Sequence, residues 1–175
     1  MNIIILNGMG TSGKGELVKA FQKYIHCYQL SIIDYVKELA KTMGWDGSKT
    51  EKDRWFLANL KSILTSYNDS PYKEVMKKIQ SCIDHSNVNG IKEYLICVDM
   101  RERQDIERVE KELDVTKVLV VRDTIPKIDS NHADANVFDI KYDYVIENNG
   151  TLEELEILAK SLLKVIVDKP RIQTI

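Results

Sequence analysis

The stretch that decides the fold is Gly8-Met9-Gly10-Thr11-Ser12-Gly13-Lys14-Gly15, set between an apolar run, Ile3 to Leu6, and a helix-like segment, Glu16 to Tyr24. The run before it is isoleucine-rich, too short for a helix and ended by Asn7-Gly8, so it reads as a fully buried strand. Behind it, Leu17, Val18, Ala20, Phe21 and Tyr24 recur at helical spacing. A chain that turns from a strand through glycines into a helix start leaves several backbone N–H groups without intrahelical acceptors. They aim at one spot, where the helix dipole also favours negative charge. Phosphate oxygens suit that spot. Gly8, four residues, then Gly13-Lys14 follows the phosphate-loop pattern up to its last position, where Gly15 replaces the magnesium-binding Ser or Thr and Glu16 follows.

Beyond the first helix, Tyr28 to Ile33 returns to strand character, and Asp34 opens a helix with Val36, Leu39, Ala40 and Met43 on one face, stopped by Gly44. Thr50 with Asp53 caps a run to Tyr67 that carries Trp55, Phe56, Leu57, Leu60, Ile63 and Leu64 as a broad apolar stripe, with Trp55 expected to pack inward. Ser70-Pro71 starts a further helix to about Ser86. Two consecutive helices break strict strand–helix alternation and read as an insertion that covers a substrate. Glu93 to Val98, Lys117 to Val121 and Tyr144 to Ile146 complete five strands; Glu102 to Leu113 is a charged surface helix, and Thr151 with Glu154 caps a closing helix to Val167. The polar, weakly periodic stretch from Thr124 to Tyr142 reads as a functional loop or lid. All connections are long enough for crossovers, so the expected fold is α/β, a three-layer αβα arrangement around a five-stranded parallel sheet.

A chain of 175 residues suits one domain spanning 1–175 and needs no disulfide or metal staple for its core. With 25 basic against 27 acidic residues and a formal charge of −2, it has no footprint for a nucleic acid polymer. Cys27, Cys82 and Cys97 are odd in number and unpaired in spacing, and read as small interior hydrophobes in a reducing compartment. No membrane-spanning or secretory run is present, so a cytoplasmic protein, monomer or homodimer, is expected.

In a parallel sheet, ligands bind beyond the carboxyl ends of the strands, which makes the residues just after each strand the candidates. Lys14 sits where a loop lysine neutralises β- and γ-phosphate charge. Asp99 ends an apolar strand and suits magnesium, directly or through water, or the capping of the next helix. Arg101 and Arg122, at two further strand ends, suit a bidentate phosphate clamp or surface ion pairs, whereas Arg103 and Arg108 suit a solvated helix face. Arg54, ahead of the aromatic stripe, reaches an acceptor or merely solvent. His132, beside Asp134 in the lid, is a candidate ligand contact.

These motifs, in this order, resemble the phosphate-loop nucleoside monophosphate kinase group, and more closely the deoxynucleoside monophosphate kinase-like branch that includes animal-type phosphomevalonate kinase. The likeness rests on Gly8 to Gly15, Asp34-Tyr35-Val36-Lys37, Lys52-Asp53-Arg54, Val98-Asp99-Met100-Arg101, Val121-Arg122, Asn131-His132-Ala133-Asp134 and Tyr142 to Gly150. It implies transfer of the γ-phosphoryl of ATP to a small phosphorylated acceptor, with magnesium bridging the donor phosphates. ATP would be held by Gly8, Gly10, Thr11, Ser12, Gly13, Lys14, Gly15 and Glu16, and charge in transfer by Lys14, Arg101 and Arg122. The acceptor would lie toward Asp34, Lys37, Arg54, Asp99 and His132, under a helical region at about 34–90 and a lid at about 123–142, with Asp99 as the metal ligand. A nucleoside or deoxynucleoside monophosphate is the leading acceptor. A kinase of a non-nucleotide metabolite and a catalytically impaired nucleotide-binding module are the alternatives.

Overall fold

A computed structural model describes residues 1–123 and 137–168 of the chain. Five strands, β1 (Asn2–Asn7), β2 (His26–Ser31), β3 (Tyr94–Asp99), β4 (Thr116–Val121) and β5 (Tyr144–Glu147), form one sheet in the order β2-β3-β1-β4-β5. Every neighbouring pair is parallel. The helices are α1 (Lys14–Gln22), α2 (Asp34–Thr42), α3 (Glu51–Asn68), α4 (Ser70–Val88), α5 (Arg103–Glu112) and α6 (Leu152–Val167).

Side chains alternate across the pleat, so each strand feeds two cores. Ile4 and Leu6 face one side, where Leu17, Val18 and Phe21 of α1 and Leu155, Ala159 and Leu162 of α6 cover the sheet. Ile3 and Ile5 face the other, covered by Tyr72, Val75 and Ile79 of α4 and Ile106 and Val109 of α5. The helices following the adjacent strands β1 and β3 therefore lie on opposite faces. By the strand-end rule for open α/β sheets, the point between those two strand ends is where a ligand crevice is expected.

Local chemistry sets the helix starts as expected. Thr50 accepts from the Asp53 N–H and Asp53 answers to the Thr50 N–H, while Thr151 and Glu154 repeat the same capping box on α6. Pro71 occupies the first turn of α4.

Two expectations need correction. The second strand starts earlier, at His26, and ends at Ser31, because an edge strand with only partial burial carries a weak apolar signal. More consequentially, the apolar stripe of α3 is only partly covered: Trp55 is 68% exposed and Ile63 63%, Phe56, Leu57, Leu60 and Leu64 are half-buried, and the one fully buried residue of the helix is Lys61. Helical period marks a stripe but not what covers it.

The three cysteines are free. Cys97 is buried and Cys27 and Cys82 half-buried, and the sheet brings the Cys27 and Cys97 sulfurs to 3.6 Å, a proximity their spacing did not suggest. Burial pushes the Cys97 thiol well up. Among the described residues no helix is long and apolar enough to cross a membrane.

Candidate active site

The loop between β1 and α1 is held open from both sides. Asn7, fully buried at the end of β1, accepts the Gly8 N–H at 2.7 Å and donates to the Arg101 carbonyl at 3.3 Å. Gly8 has φ 141°, and a Cβ there would lie 2.3 Å from the Val120 carbonyl oxygen. Thr11 takes a left-handed φ of 65°, strain that native proteins keep mainly at ligand sites. Gly13, φ 100°, caps α1 without a side-chain bond, which leaves the N–H groups of the first turn to whatever sits above them. A Cβ on Gly13 would fall 2.1 Å from Nδ2 of Asn148, which donates to the Ser12 carbonyl at 2.9 Å. The loop is thus clamped between the ends of β3, β4 and β5.

Lys14 folds over this loop. Its ammonium donates to the Gly8 and Met9 carbonyls at 2.7 and 3.1 Å and stands 4.0 Å from Asp99 Oδ1 across the crevice. That carboxylate oxygen is buried and, among the described residues, has no hydrogen-bond partner; neither has the buried hydroxyl of Ser12. Orphaned buried polar atoms are costly and are expected where a ligand completes them. Asp99 itself is fixed by its backbone: its carbonyl accepts from the Ile32 N–H and the Ser31 hydroxyl, and the following Met100 N–H bonds Leu6.

Arg101 follows directly and is half-buried; Arg122, just past β4, is exposed. The end of β4 is pinned to that of β5, since Asn148 donates its N–H to the Val121 carbonyl and Asp123 and Asn149 exchange two hydrogen bonds. At the end of β2, Asp34 accepts the Ser31 N–H at 2.8 Å and lies 3.5 Å from Lys37 Nζ. Arg54 is exposed on α3. Glu16 points off the loop, paired with Lys19 on the outer face of α1 at 2.8 Å.

The sheet therefore gathers Gly8 to Gly15, Asp99, Arg101, Arg122, Asp34 and Lys37 along one edge. His132 lies outside the described residues, and so does most of the expected lid. Its last part forms a short 3-10 turn, Val137–Asp139, whose Val137 carbonyl accepts the Tyr142 hydroxyl at 2.7 Å. Arg108, expected on a solvated face, instead grips Asp69 with both guanidinium nitrogens. Asn7 and the buried pair Lys61–Asp105 carried no local signal, because their partners are distant in sequence.

Among the described residues no group of three or more His, Cys, Asp or Glu is placed to hold a metal ion. Magnesium needs less, since it keeps several waters and typically takes one or two carboxylates plus phosphate oxygens. The orphaned Asp99 oxygen fits that requirement. A cavity of about 320 Å³, lined by Ser86, Asn87, Ile91, Lys92 and Tyr94, lies by the N-terminal end of β3, away from this edge.

A parallel sheet with β1 central, a glycine loop into α1 and a lysine at the first helical position define the P-loop kinase fold. The solved dephospho-CoA kinase of Campylobacter jejuni superposes with a TM-score of 0.52 at 13% identity, covering 95% of this chain and 98% of that one. Weaker superpositions include a shikimate kinase of Aquifex aeolicus (TM-score 0.46, 12% identity, 96% and 99% covered) and an APS kinase of Mycobacterium tuberculosis (0.42, 16%, 93% and 96%). No protein-family model matches the sequence, and no curated protein matches it significantly.

Proposed function

We propose that this chain is an ATP-dependent phosphotransferase that moves the γ-phosphoryl of ATP onto a small phosphorylated acceptor, with a nucleoside or deoxynucleoside monophosphate as the leading acceptor class. The observation that carries this reading is what meets at the ends of β1 and β3: an uncapped helix start with Lys14, facing Asp99, one of whose carboxylate oxygens is buried and without a hydrogen-bond partner among the described residues. The amides of Gly13 to Glu16 bind the donor phosphates, while the Glu16 carboxylate stays on the far side with Lys19. Lys14 leaves the loop carbonyls for the β- and γ-phosphates and neutralises charge as it spreads over the transferred group. Arg101 and Arg122 flank that group from β3 and β4. Asp99 would hold magnesium, which when bound supplies charge neutralisation on the donor phosphates. Asp34, Lys37 and Arg54 line the acceptor side below α2 and α3, and segment 123–142, with His132, supplies the lid.

The phosphomevalonate kinase-containing branch supports a second reading, a non-nucleotide phosphorylated metabolite as acceptor. One observation favours it: Trp55 is exposed and offers no inward platform for a base. An impaired module is disfavoured because Glu16 does not intrude on the loop.

A panel of nucleoside and deoxynucleoside monophosphates and of small phosphorylated metabolites, each with ATP and magnesium in a coupled ADP assay, tests the proposal. ADP release that depends on one acceptor is expected. Tight ATP binding without turnover under every acceptor overturns it.

A further inference from the structure

An 18-residue helix, α3, packs against α2 and α4 with Lys61 as its one fully buried residue. Trp55, Ile63 and Tyr67 face solvent and Phe56, Leu57, Leu60 and Leu64 are only half-buried, so apolar packing constrains its height and roll only in part. What fixes it midway is Lys61, 8% exposed, whose ammonium lies 2.6 Å from Glu102 Oε1 and 2.7 Å from Asp105 Oδ2. Asp105 is itself only 6% exposed. Glu102 is the residue after Arg101, and both carboxylates sit at the start of α5, just beyond the end of β3 that carries Asp99. Arg54 lies two turns before Lys61 on the same helical stripe, about 10 Å up the axis. One lysine thus ties the segment holding Asp99 and Arg101 to the helix holding Arg54.

We infer that Lys61 is a positioning residue that sets the register of α3 on the β3–α5 segment, and through it the span between the acceptor-side Arg54 and the phosphate-side Arg101. A buried ion pair is a poor source of net stability, because desolvation offsets most of the attraction, but its geometry is exacting. Apolar groups of similar volume hold two helices together equally well and tolerate sliding. The polar contact admits one register. Its effect on the acceptor rests on the kinase reading above; its effect on α3 does not.

The test replaces the whole pair, since Lys61→Met alone would strand a buried carboxylate and unfold the contact for a trivial reason. The double variant Lys61→Met/Asp105→Leu is compared with wild type and with Lys61→Arg by thermal unfolding, hydrogen exchange and acceptor kinetics. The double variant is expected to unfold within a few degrees of wild type. Its α3 amides should exchange at least tenfold faster, and the acceptor KM should rise at least tenfold with the ATP KM unchanged; Lys61→Arg should restore most of both. Unchanged α3 exchange in a folded double variant overturns the inference, as does an unchanged acceptor KM in an active one. If wild type transfers phosphate to no acceptor while α3 exchange still responds, the kinase reading fails and the register assignment stands.

Discussion

Lys14 Nζ stands 4.0 Å from Asp99 Oδ1 across the crevice between β1 and β3, and that oxygen is buried without a hydrogen-bond partner among the described residues. The distance is too long for a hydrogen bond, so the two charges face each other with room for a third party. On the proposed reading, this arrangement favours a ligand at some expense to the free protein. Asp99→Asn keeps the volume and removes the charge. It should lower turnover about 100-fold or more while leaving the unfolding midpoint of the ligand-free protein unchanged or higher. If the proposed phosphoryl transfer holds, Lys14→Ala should cost more, several powers of ten, because it would remove a cation aimed at charge developing in the transition state. Steady-state kinetics across a magnesium titration, with thermal unfolding alongside, checks both; near-normal activity in Lys14→Ala would remove that residue from its role.

The loop glycines divide sharply. At Gly13 an added Cβ meets Asn148 at 2.1 Å and the backbone has φ 100°, whereas at Gly15 it meets nothing within 4 Å. Gly13→Ala should therefore destabilise by about 2 kcal/mol or more, from left-handed strain plus displacement of a buried amide. Gly15→Ser should be tolerated, and stabilise by up to about 1 kcal/mol, because glycine inside a helix carries an entropic cost. Denaturant unfolding of the two variants separates these outcomes. Equal costs would mean that the Asn148 contact does not confine the loop.

That contrast marks what the sequence shows and what it hides. The spacing of Gly8, Gly13 and Lys14 is local, and strand, turn and helix all agree around it, so loop and sheet edge were legible. Asn148, which fills the space Gly13 leaves, donates to the Ser12 carbonyl across 136 positions, and no pattern announces such a contact. The place of Asp99 and Arg101 at a strand end was legible because an apolar strand ends there. Trp55 was misread for the opposite reason: a helical stripe shows where apolar residues lie and is silent about whether a neighbour covers them. Lys61 was hidden beneath the same stripe, since a buried lysine has no periodic signature.

Arg108 closes the junction of α3 and α4. It donates to both Asp69 oxygens, at 3.0 and 2.6 Å, and its guanidinium carbon lies 3.6 Å from the Tyr72 ring centroid. Asp69 occupies the left-handed region with φ 59°. Hydrogen bonding from Arg108 holds the Asp69 carboxyl below its ordinary range. A depressed carboxylate contributes stability above its unfolded pKa, near 3.9, and loses it as pH falls through the lower folded value. Arg108→Lys loses the fork and the stacked plane and should cost about 1 kcal/mol at neutral pH, a modest figure because the pair is partly exposed. The difference from wild type should hold constant above about pH 5 and shrink below about pH 4. Urea unfolding at stepped pH measures it, and a constant gap down to strong acid would show that the Asp69 charge plays no part.

On the proposed reading, Arg54 contacts the acceptor. It is exposed, and no partner for its guanidinium is present among the described residues, so its removal leaves nothing stranded. Arg54→Ala should leave the unfolding midpoint within about 0.5 kcal/mol of wild type. If the guanidinium grips the acceptor phosphate equally in the ground and transition states, the acceptor KM rises about 10- to 100-fold with kcat nearly unchanged, the pattern of lost uniform binding. The ATP KM should not move, because the proposed donor contacts are made by the β1–α1 loop and not by α3. A fall in kcat at constant KM would place Arg54 with Arg101 and Arg122 on the transferred group, and no change in either constant would return it to solvent.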